Sequence, residues 1–153
     1  MKQRLFSTVF LAVVVSCWSA LATDDLQSVA GKWSVKKANE QGEKYTQTLE
    51  VKNDKFVFQI LGADDQTTLY AIGDLKLERL GPFNSVRFFH IRAGGSAADL
   101  QDVDEEFVSI YVLDTDTWTM AANFDKHREQ HKPSTDVYRR VTTSAPPKSN
   151  KPS

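Results

Sequence analysis

Apolar and polar residues alternate along about eight short segments of the chain, and this pattern restricts the possible folds more than any other feature of the sequence. Successive side chains of a β-strand point to opposite faces, so a period of two predicts strands with one buried face. Turn-forming pairs such as Asn53-Asp54 and Gly81-Pro82 separate the segments. The predicted strands are 31–37, 45–51, 55–61, 68–78, 86–91, 107–113, 117–124 and 134–141.

Short connections join most of these segments, which favours an antiparallel meander. Closing such a meander into a ring removes the exposed edges that promote aggregation. The sequence therefore predicts an all-β fold, an eight-stranded antiparallel up-and-down β-barrel. A short helical turn over residues 24–30, carrying Leu26 and Val29, is expected before the first strand. Gly73, in the middle of the fourth segment, predicts a bend or bulge there.

The start of the chain has the composition of a targeting signal. Lys2 and Arg4 precede an apolar run over residues 5–15, and the small-residue site Ala20-Leu21-Ala22 follows. This order is typical of a secretory signal peptide over residues 1–22. We therefore expect cleavage after Ala22 and an exported protein, either periplasmic or extracellular.

The single cysteine, Cys17, offers an alternative to this cleavage. The segment Val14-Val15-Ser16-Cys17 resembles a bacterial lipobox, and lipidation of Cys17 would tether the domain to a membrane. An uncleaved N-terminal anchor is a further alternative. Cleavage after Ala22 would leave the mature domain without cysteine, and therefore without disulfides or thiolate metal sites. Export without disulfides fits a bacterial envelope.

The rest of the chain is expected to be one domain, residues 23–142, followed by a tail, residues 143–153. The tail is rich in proline, serine and lysine, which predicts disorder. The whole chain carries 19 basic and 20 acidic residues and has no basic stripe, so a nucleic-acid partner is not expected. Membrane contact is expected only if Cys17 is lipidated, and the domain is expected to be a monomer.

Three parts of the sequence resemble parts of known barrel families. Gly31-x-Trp33, preceded by Leu26-Gln27, resembles the Gly-x-Trp start of lipocalins and related calycin barrels. Segments 53–56 and 111–117 are similar to hairpins in the small exported lipocalin-like domains of planctomycete bacteria. The resemblance implies a lipocalin-like barrel over almost the whole domain. That family has no well-established activity, so the resemblance informs the fold more than the function.

The resemblance also implies a structural clamp at one end of the barrel. In the superfamily, the motif tryptophan packs beneath an arginine of the last strand. Gly31 and Trp33 match the motif, and the last predicted strand supplies Arg139 and Arg140. Because Arg139 would share a face with Val137 and Val141, we expect Arg139 to lie over Trp33.

The interior of an eight-stranded barrel can be filled by side chains or can hold one small ligand. Six residues are candidates for contact with such a ligand, five of them apolar and one polar. They are Phe58, Phe88, His90, Trp118, Met120 and Phe124. His90 would orient a ligand if it faced inward, whereas a position at the rim or facing water is the alternative.

No arrangement of residues in the sequence indicates catalysis, a cofactor or a bound metal. A Gly-x-Ser-x-Gly nucleophile motif and a glycine-rich phosphate loop are both missing from the sequence. His127 and His131 are four residues apart, but their segment is polar and carries several positive charges, so a solvated loop is the preferred interpretation. The acidic residues within 99–106 lack the spacing of a calcium-binding loop.

The leading functional hypothesis is a non-catalytic barrel that binds a small apolar molecule in the cell envelope. It depends on analogy with the fold. The alternative is a protein-interaction or inhibitor module that uses residues 92–106, a segment predicted as a loop longer than a hairpin requires.

Overall fold

The computed structural model describes residues 21–124, 126–127 and 131–142. Residues 1–20, which hold Cys17 and most of the predicted signal peptide, lie outside the described residues, as does the tail 143–153. Cleavage after Ala22, lipidation of Cys17 and disorder of the tail therefore remain predictions. Within the described residues, no helix is both long enough and apolar enough to cross a bilayer.

One helix and a series of antiparallel strands make up the described part of the chain. The elements are α1 (Leu21–Val29), β1 (Gly31–Ala38), β2 (Lys44–Lys52), β3 (Lys55–Leu61), β4 (Thr67–Leu80), β5 (Phe83–Gly94), β6 (Gln101–Val103), β7 (Phe107–Leu113), β8 (Thr117–Ala122) and β9 (Ser134–Arg140). The alternation of apolar and polar residues placed every barrel strand correctly, with ends that differ by at most a few residues.

The strands close into the predicted barrel. The strands β1 to β5 pair in chain order, each with the next. β5 also pairs with β7, β7 pairs with β8, and β8 pairs with β9. Pairing of β9 with β1 completes the ring, so eight antiparallel strands form a closed barrel. The short β6 pairs only with β5, at the end of the barrel where β5 finishes.

The segment 92–106 is not the long loop that the sequence predicts. β5 continues to Gly94, and β6 folds back on it with Arg92 opposite Asp102. A Cβ at Gly94 would collide with the Asp99 carbonyl oxygen, so glycine allows this tight return. The irregular parts of the segment shrink to residues 95–100 and 104–106, which weakens the length argument for a loop-based interaction module. The prediction failed because β6 is only three residues long and has a single apolar residue, Val103, which is too few to show an alternation.

A β-bulge lies in the middle of the barrel, as Gly73 predicts. Ile72 pairs with Arg92 and Asp74 pairs with Phe89, so one residue of β4 lies opposite two residues of β5. A Cβ at position 73 would lie 2.8 Å from the Phe89 carbonyl oxygen and 2.8 Å from the Phe56 ring, so only glycine fits. The bulge shifts the alternation of β5 by one residue.

The sequence does not decide which face of β5 points inward, Val86-Phe88-His90 or Arg87-Phe89-Ile91, and the shift explains why. Val86 is fully buried and Phe88 packs on the core before the bulge, whereas Ile91 and Ala93 do so after it. Each of the two faces considered from sequence is therefore correct for half of the strand. His90, at the bulge, adopts a φ of 49°.

One end of the barrel is closed by α1 and a clamp that centres on Trp33. Trp33 is fully buried, and its indole N–H donates a hydrogen bond to the Val29 carbonyl at 2.9 Å. The Arg140 guanidinium carbon lies 4.0 Å from the centre of the Trp33 ring. Arg140 also donates hydrogen bonds to the carbonyls of Ser28, Ala30 and Thr115. The clamp thus joins α1, β1, β9 and the β7–β8 turn.

Arg140, and not Arg139, forms this clamp, so the prediction for Arg139 is wrong. Trp33 and Arg140 are directly opposite one another in the β1–β9 pairing, on the same face. Tyr138 is only 4% exposed and places even-numbered residues of β9 inside, whereas Val137 is 45% exposed. The two valines misled the prediction because burial of the larger tyrosine ring decides which face points inward.

The Gly31 part of the clamp is in the predicted position. Gly31 has a φ of 116°, which favours glycine, and a Cβ there would lie 3.0 Å from the Arg140 guanidinium. Glycine at this position therefore lets the arginine approach the backbone closely.

We expect Arg140→Ala to lower the free energy of unfolding by about 2–4 kcal/mol, because it removes the cation–π contact and three charge-assisted hydrogen bonds. Arg139→Ala is the matched control, since the exposed Arg139 should contribute less than about 0.5 kcal/mol. Urea unfolding followed by tryptophan fluorescence measures both. Equal losses from the two variants would contradict the assignment of the clamp.

We expect Gly73→Ala to destabilise the barrel by about 1–3 kcal/mol, because the added methyl group must displace backbone at the bulge. Gly95→Ala serves as the control, since nothing lies within 4 Å of a Cβ at that position. Thermal unfolding by circular dichroism compares the two variants, and a Gly73→Ala protein as stable as the control would rule out the bulge.

Candidate functional site

The barrel interior contains a cavity of about 370 Å³. Its wall is mostly apolar and is contributed by strands all around the barrel. The apolar lining includes Leu49, Phe56, Phe58, Leu69, Phe88 and Met120. Phe107 both lines the cavity and is 41% exposed, so the cavity reaches solvent at the end of the barrel opposite the clamp. We refer to the two ends as the closed end and the open end.

A few polar residues interrupt the apolar wall. Gln47, Ser109, Asp136 and Tyr138 line the cavity together with the apolar residues. The Tyr138 hydroxyl donates a hydrogen bond to the Gln47 side-chain oxygen at 3.0 Å. Burial, and then the nearby Asp136 carboxylate, raise the pKa of Tyr138 well above its ordinary value, so this hydroxyl stays protonated and neutral.

Strand register brings three of these polar residues to one wall. β1 lies between β2 and β9 and pairs Val35 with Gln47. Continuing the β1–β9 register toward the open end places Val35 opposite Tyr138 and Lys37 opposite Asp136. The Lys37 ammonium and the Asp136 carboxylate form an ion pair at 2.6 Å. We call Lys37, Gln47, Asp136 and Tyr138 the polar strip.

Three of the six predicted ligand-contact residues line the cavity, namely Phe58, Phe88 and Met120. Whether they contact a ligand remains a prediction.

Trp118 and Phe124 lie elsewhere. Trp118 is fully buried at the closed end, where its ring packs edge-on against Trp33 and Tyr111 at centroid distances of 5.6 and 5.9 Å. Trp118 therefore forms the floor beneath the clamp and does not line the cavity. Phe124 follows the end of β8 and is 36% exposed.

His90 faces the outside of the barrel, the alternative that the sequence left open. Its side chain is 77% exposed, and its Nδ1 lies 2.8 Å from the Asp74 carboxylate. The other oxygen of Asp74 accepts a hydrogen bond from Lys55. These partners, Lys55 first and His90 second, lower the pKa of Asp74 below its ordinary value of 3.8. The three side chains hold the outer side of the bulge together.

Sequence reasoning missed several residues of the cavity. The bulge hid Ile91, because its position relative to Phe88 breaks the strict alternation. The prediction that Arg139 faces inward implies that Tyr138 and Asp136 face outward, whereas both line the cavity. Phe56 was placed on the same face as Phe58, and that signal could have added it to the candidates.

The acidic and histidine-containing segments do not form a recognisable metal centre in the described part of the chain. No group of three or more histidine, cysteine or acidic side chains that could hold a metal ion occurs among the described residues. Glu105 instead pairs with Lys126 at 2.8 Å, and Arg87 pairs with Glu106 at 2.8 Å. Residues 128–130, between His127 and His131, lie outside the described residues.

Comparison with known proteins adds no relative from which a function could be inferred. No protein-family model matches the chain, and no curated protein or solved structure shows significant similarity to it.

We expect Asp74→Asn to lower the melting temperature at neutral pH, because it removes the carboxylate that bonds Lys55 and His90. Since the folded state lowers the pKa of Asp74, its contribution is present above pH 3.8 and is lost as the pH falls below that value. The difference between wild type and variant should therefore shrink in acid.

Melting temperatures recorded by circular dichroism at several pH values between about 2 and 7 test this dependence. Asp102→Asn is the control, because the Asp102 side chain is 94% exposed. A gap between wild type and Asp74→Asn that stays constant across the whole pH range would contradict the assignment.

Proposed function

We propose that this protein is a non-catalytic, lipocalin-like barrel that binds a small, mainly apolar molecule in its interior. The observation that supports the proposal is the cavity of about 370 Å³ that opens at one end of the barrel. Protein interiors are normally packed with few voids larger than a water molecule. Ligand pockets in proteins span roughly 300–1,000 Å³ and combine apolar walls with a small number of polar groups, as this cavity does.

The placement of the large aromatic residues also supports ligand binding. Trp33 and Trp118, the largest fully buried side chains, pack at the closed end and leave the middle of the barrel to smaller groups. Ala71 and Ala93, which line the cavity, take up little volume where larger residues would fill it. The core is therefore dense at the clamp and open toward solvent.

The proposed setting is the cell envelope of a bacterium. The signal-peptide pattern and the resemblance to small exported lipocalin-like domains favour export, and lipid attachment at Cys17 is the alternative to cleavage after Ala22. A binding role in this compartment requires neither a cofactor nor a second subunit, so we propose a monomer that carries or senses one apolar molecule.

The chain offers a direct reporter of the cavity, because its two methionines are Met1 and Met120 and the second lines the cavity. We expect the ¹³C-labelled methyl signal of Met120 to shift when N-phenyl-1-naphthylamine, a neutral apolar fluorophore, is titrated into the protein. The dye should also gain fluorescence on leaving water. Both signals should saturate together with one dye per chain.

A pair of variants on β8 separates the cavity from the outer surface. Ala122→Phe places a ring in the cavity and should weaken dye binding at least about tenfold by filling space that the ligand needs. Ala121→Phe, on the opposite face of the same strand, should leave the affinity unchanged. Dye binding without a Met120 shift, or equal effects of the two variants, would refute the proposed site.

A further inference from the structure

Apart from Ser109 on β7, the polar groups of the cavity lie on one side, toward the open end. The polar strip belongs to the neighbouring strands β2, β1 and β9. The lining contributed by β3, β4, β5 and β6 is apolar, including Phe58, Leu69, Ala93 and Val103. A ligand that fits such a cavity has an apolar body and a single polar end, which lies against the strip.

The charges on this strip are already balanced. Among the described residues that line the cavity, Asp136 is the only acid and none is a lysine, arginine or histidine. The Asp136 carboxylate is paired with Lys37 at 2.6 Å, and the two side chains are 20% and 27% exposed. A partly buried ion pair of this kind is neutral as a unit, and separating its partners leaves a charge without compensation.

Whatever its sign, a charged ligand head would lie beside a charge of the same sign, because the pair contains both a carboxylate and an ammonium group. A carboxylate would be repelled by Asp136, and an ammonium group would be repelled by Lys37. Each could gain a partner only by taking it from the existing ion pair. Neither sign of charge is therefore favoured at the strip.

A neutral head that both donates and accepts hydrogen bonds matches the strip. The Tyr138 hydroxyl donates to Gln47, and its oxygen can accept a further hydrogen bond. The Gln47 amide nitrogen can donate, and the Asp136 oxygen that is not bonded to Lys37 can accept. A hydroxyl or a primary amide has the required donor and acceptor.

We propose that the cavity selects neutral single-chain amphiphiles with a hydroxyl or amide end and discriminates against the corresponding carboxylates and amines. This inference rests on the proposed function, since it assigns a ligand class to the same cavity. Lys37 and Asp136 are its specificity-determining residues, and Gln47 and Tyr138 orient the polar end.

Four ligands with the same tail test the proposal: 1-decanol, decanamide, decanoate and decylammonium, at neutral pH and below their micelle concentrations. Affinities come from the Met120 methyl shift of the ¹³C-labelled protein. We expect decanol and decanamide to bind at least about tenfold more tightly than either charged ligand.

Two single variants should reverse the selectivity in opposite directions. Asp136→Asn leaves Lys37 without its carboxylate partner. Decanoate should therefore bind at least about tenfold more tightly than to the wild type, and decylammonium should not bind more tightly. Lys37→Met leaves Asp136 without its cation, so the affinity for decylammonium should rise and the affinity for decanoate should not. Asp102→Asn, which removes a carboxylate that is 94% exposed, should leave the order of affinities unchanged.

The outcomes separate this inference from the proposed function. Equal binding of all four ligands, or tightest binding of a charged ligand by the wild type, would overturn the neutral-head selectivity while leaving a binding barrel. If neither the four ligands nor N-phenyl-1-naphthylamine shifts the Met120 signal, the proposed function itself fails, whereas binding of the dye alone overturns only the inference. If one of the two variants does not fold, the other still gives a directional result.

Discussion

The stacking of the Arg140 guanidinium on the Trp33 indole is the contact on which the closed barrel depends. β1 and β9 are the first and last strands, and Trp33 pairs with Arg140 and Ser34 with Arg139 where they meet. Arg140 adds hydrogen bonds to three carbonyls that come from outside these strands. The Arg140 side chain contacts the end of α1, Trp33 of β1 and the β7–β8 turn, and so holds the first and last strands of the barrel together.

The cavity depends on a second constraint, the bulge at Gly73. The register shift lets Phe88 and Ile91 both face inward although they are three residues apart. It also turns His90 outward, where Asp74 and Lys55 hold it. The interior therefore stays apolar along β5, and the polar groups of the cavity other than Ser109 lie in the strip on β1, β2 and β9. This separation gives the cavity two distinct sides.

Much of the fold was predictable because alternation is a local property of the chain. The segment Lys55–Leu61 shows it directly, since Phe56 and Phe58 face inward and their neighbours do not line the cavity. Prediction failed where a residue distant in sequence decides the face. In β9 the choice between Arg139 and Arg140 depends on whether Tyr138 finds a buried partner, and that partner, Gln47, is 91 residues away.

The sequence by itself determined an all-β chain, the number of barrel strands, their turns and the position of the bulge, because strand periodicity and turn preferences act over a few residues. Only the tertiary structure decided which arginine clamps Trp33, that segment 92–106 is largely a hairpin, and that Lys37 meets Asp136 beside a cavity. These features arise from pairing between strands far apart in the chain, where register and close packing select one arrangement among several that the local pattern allows equally.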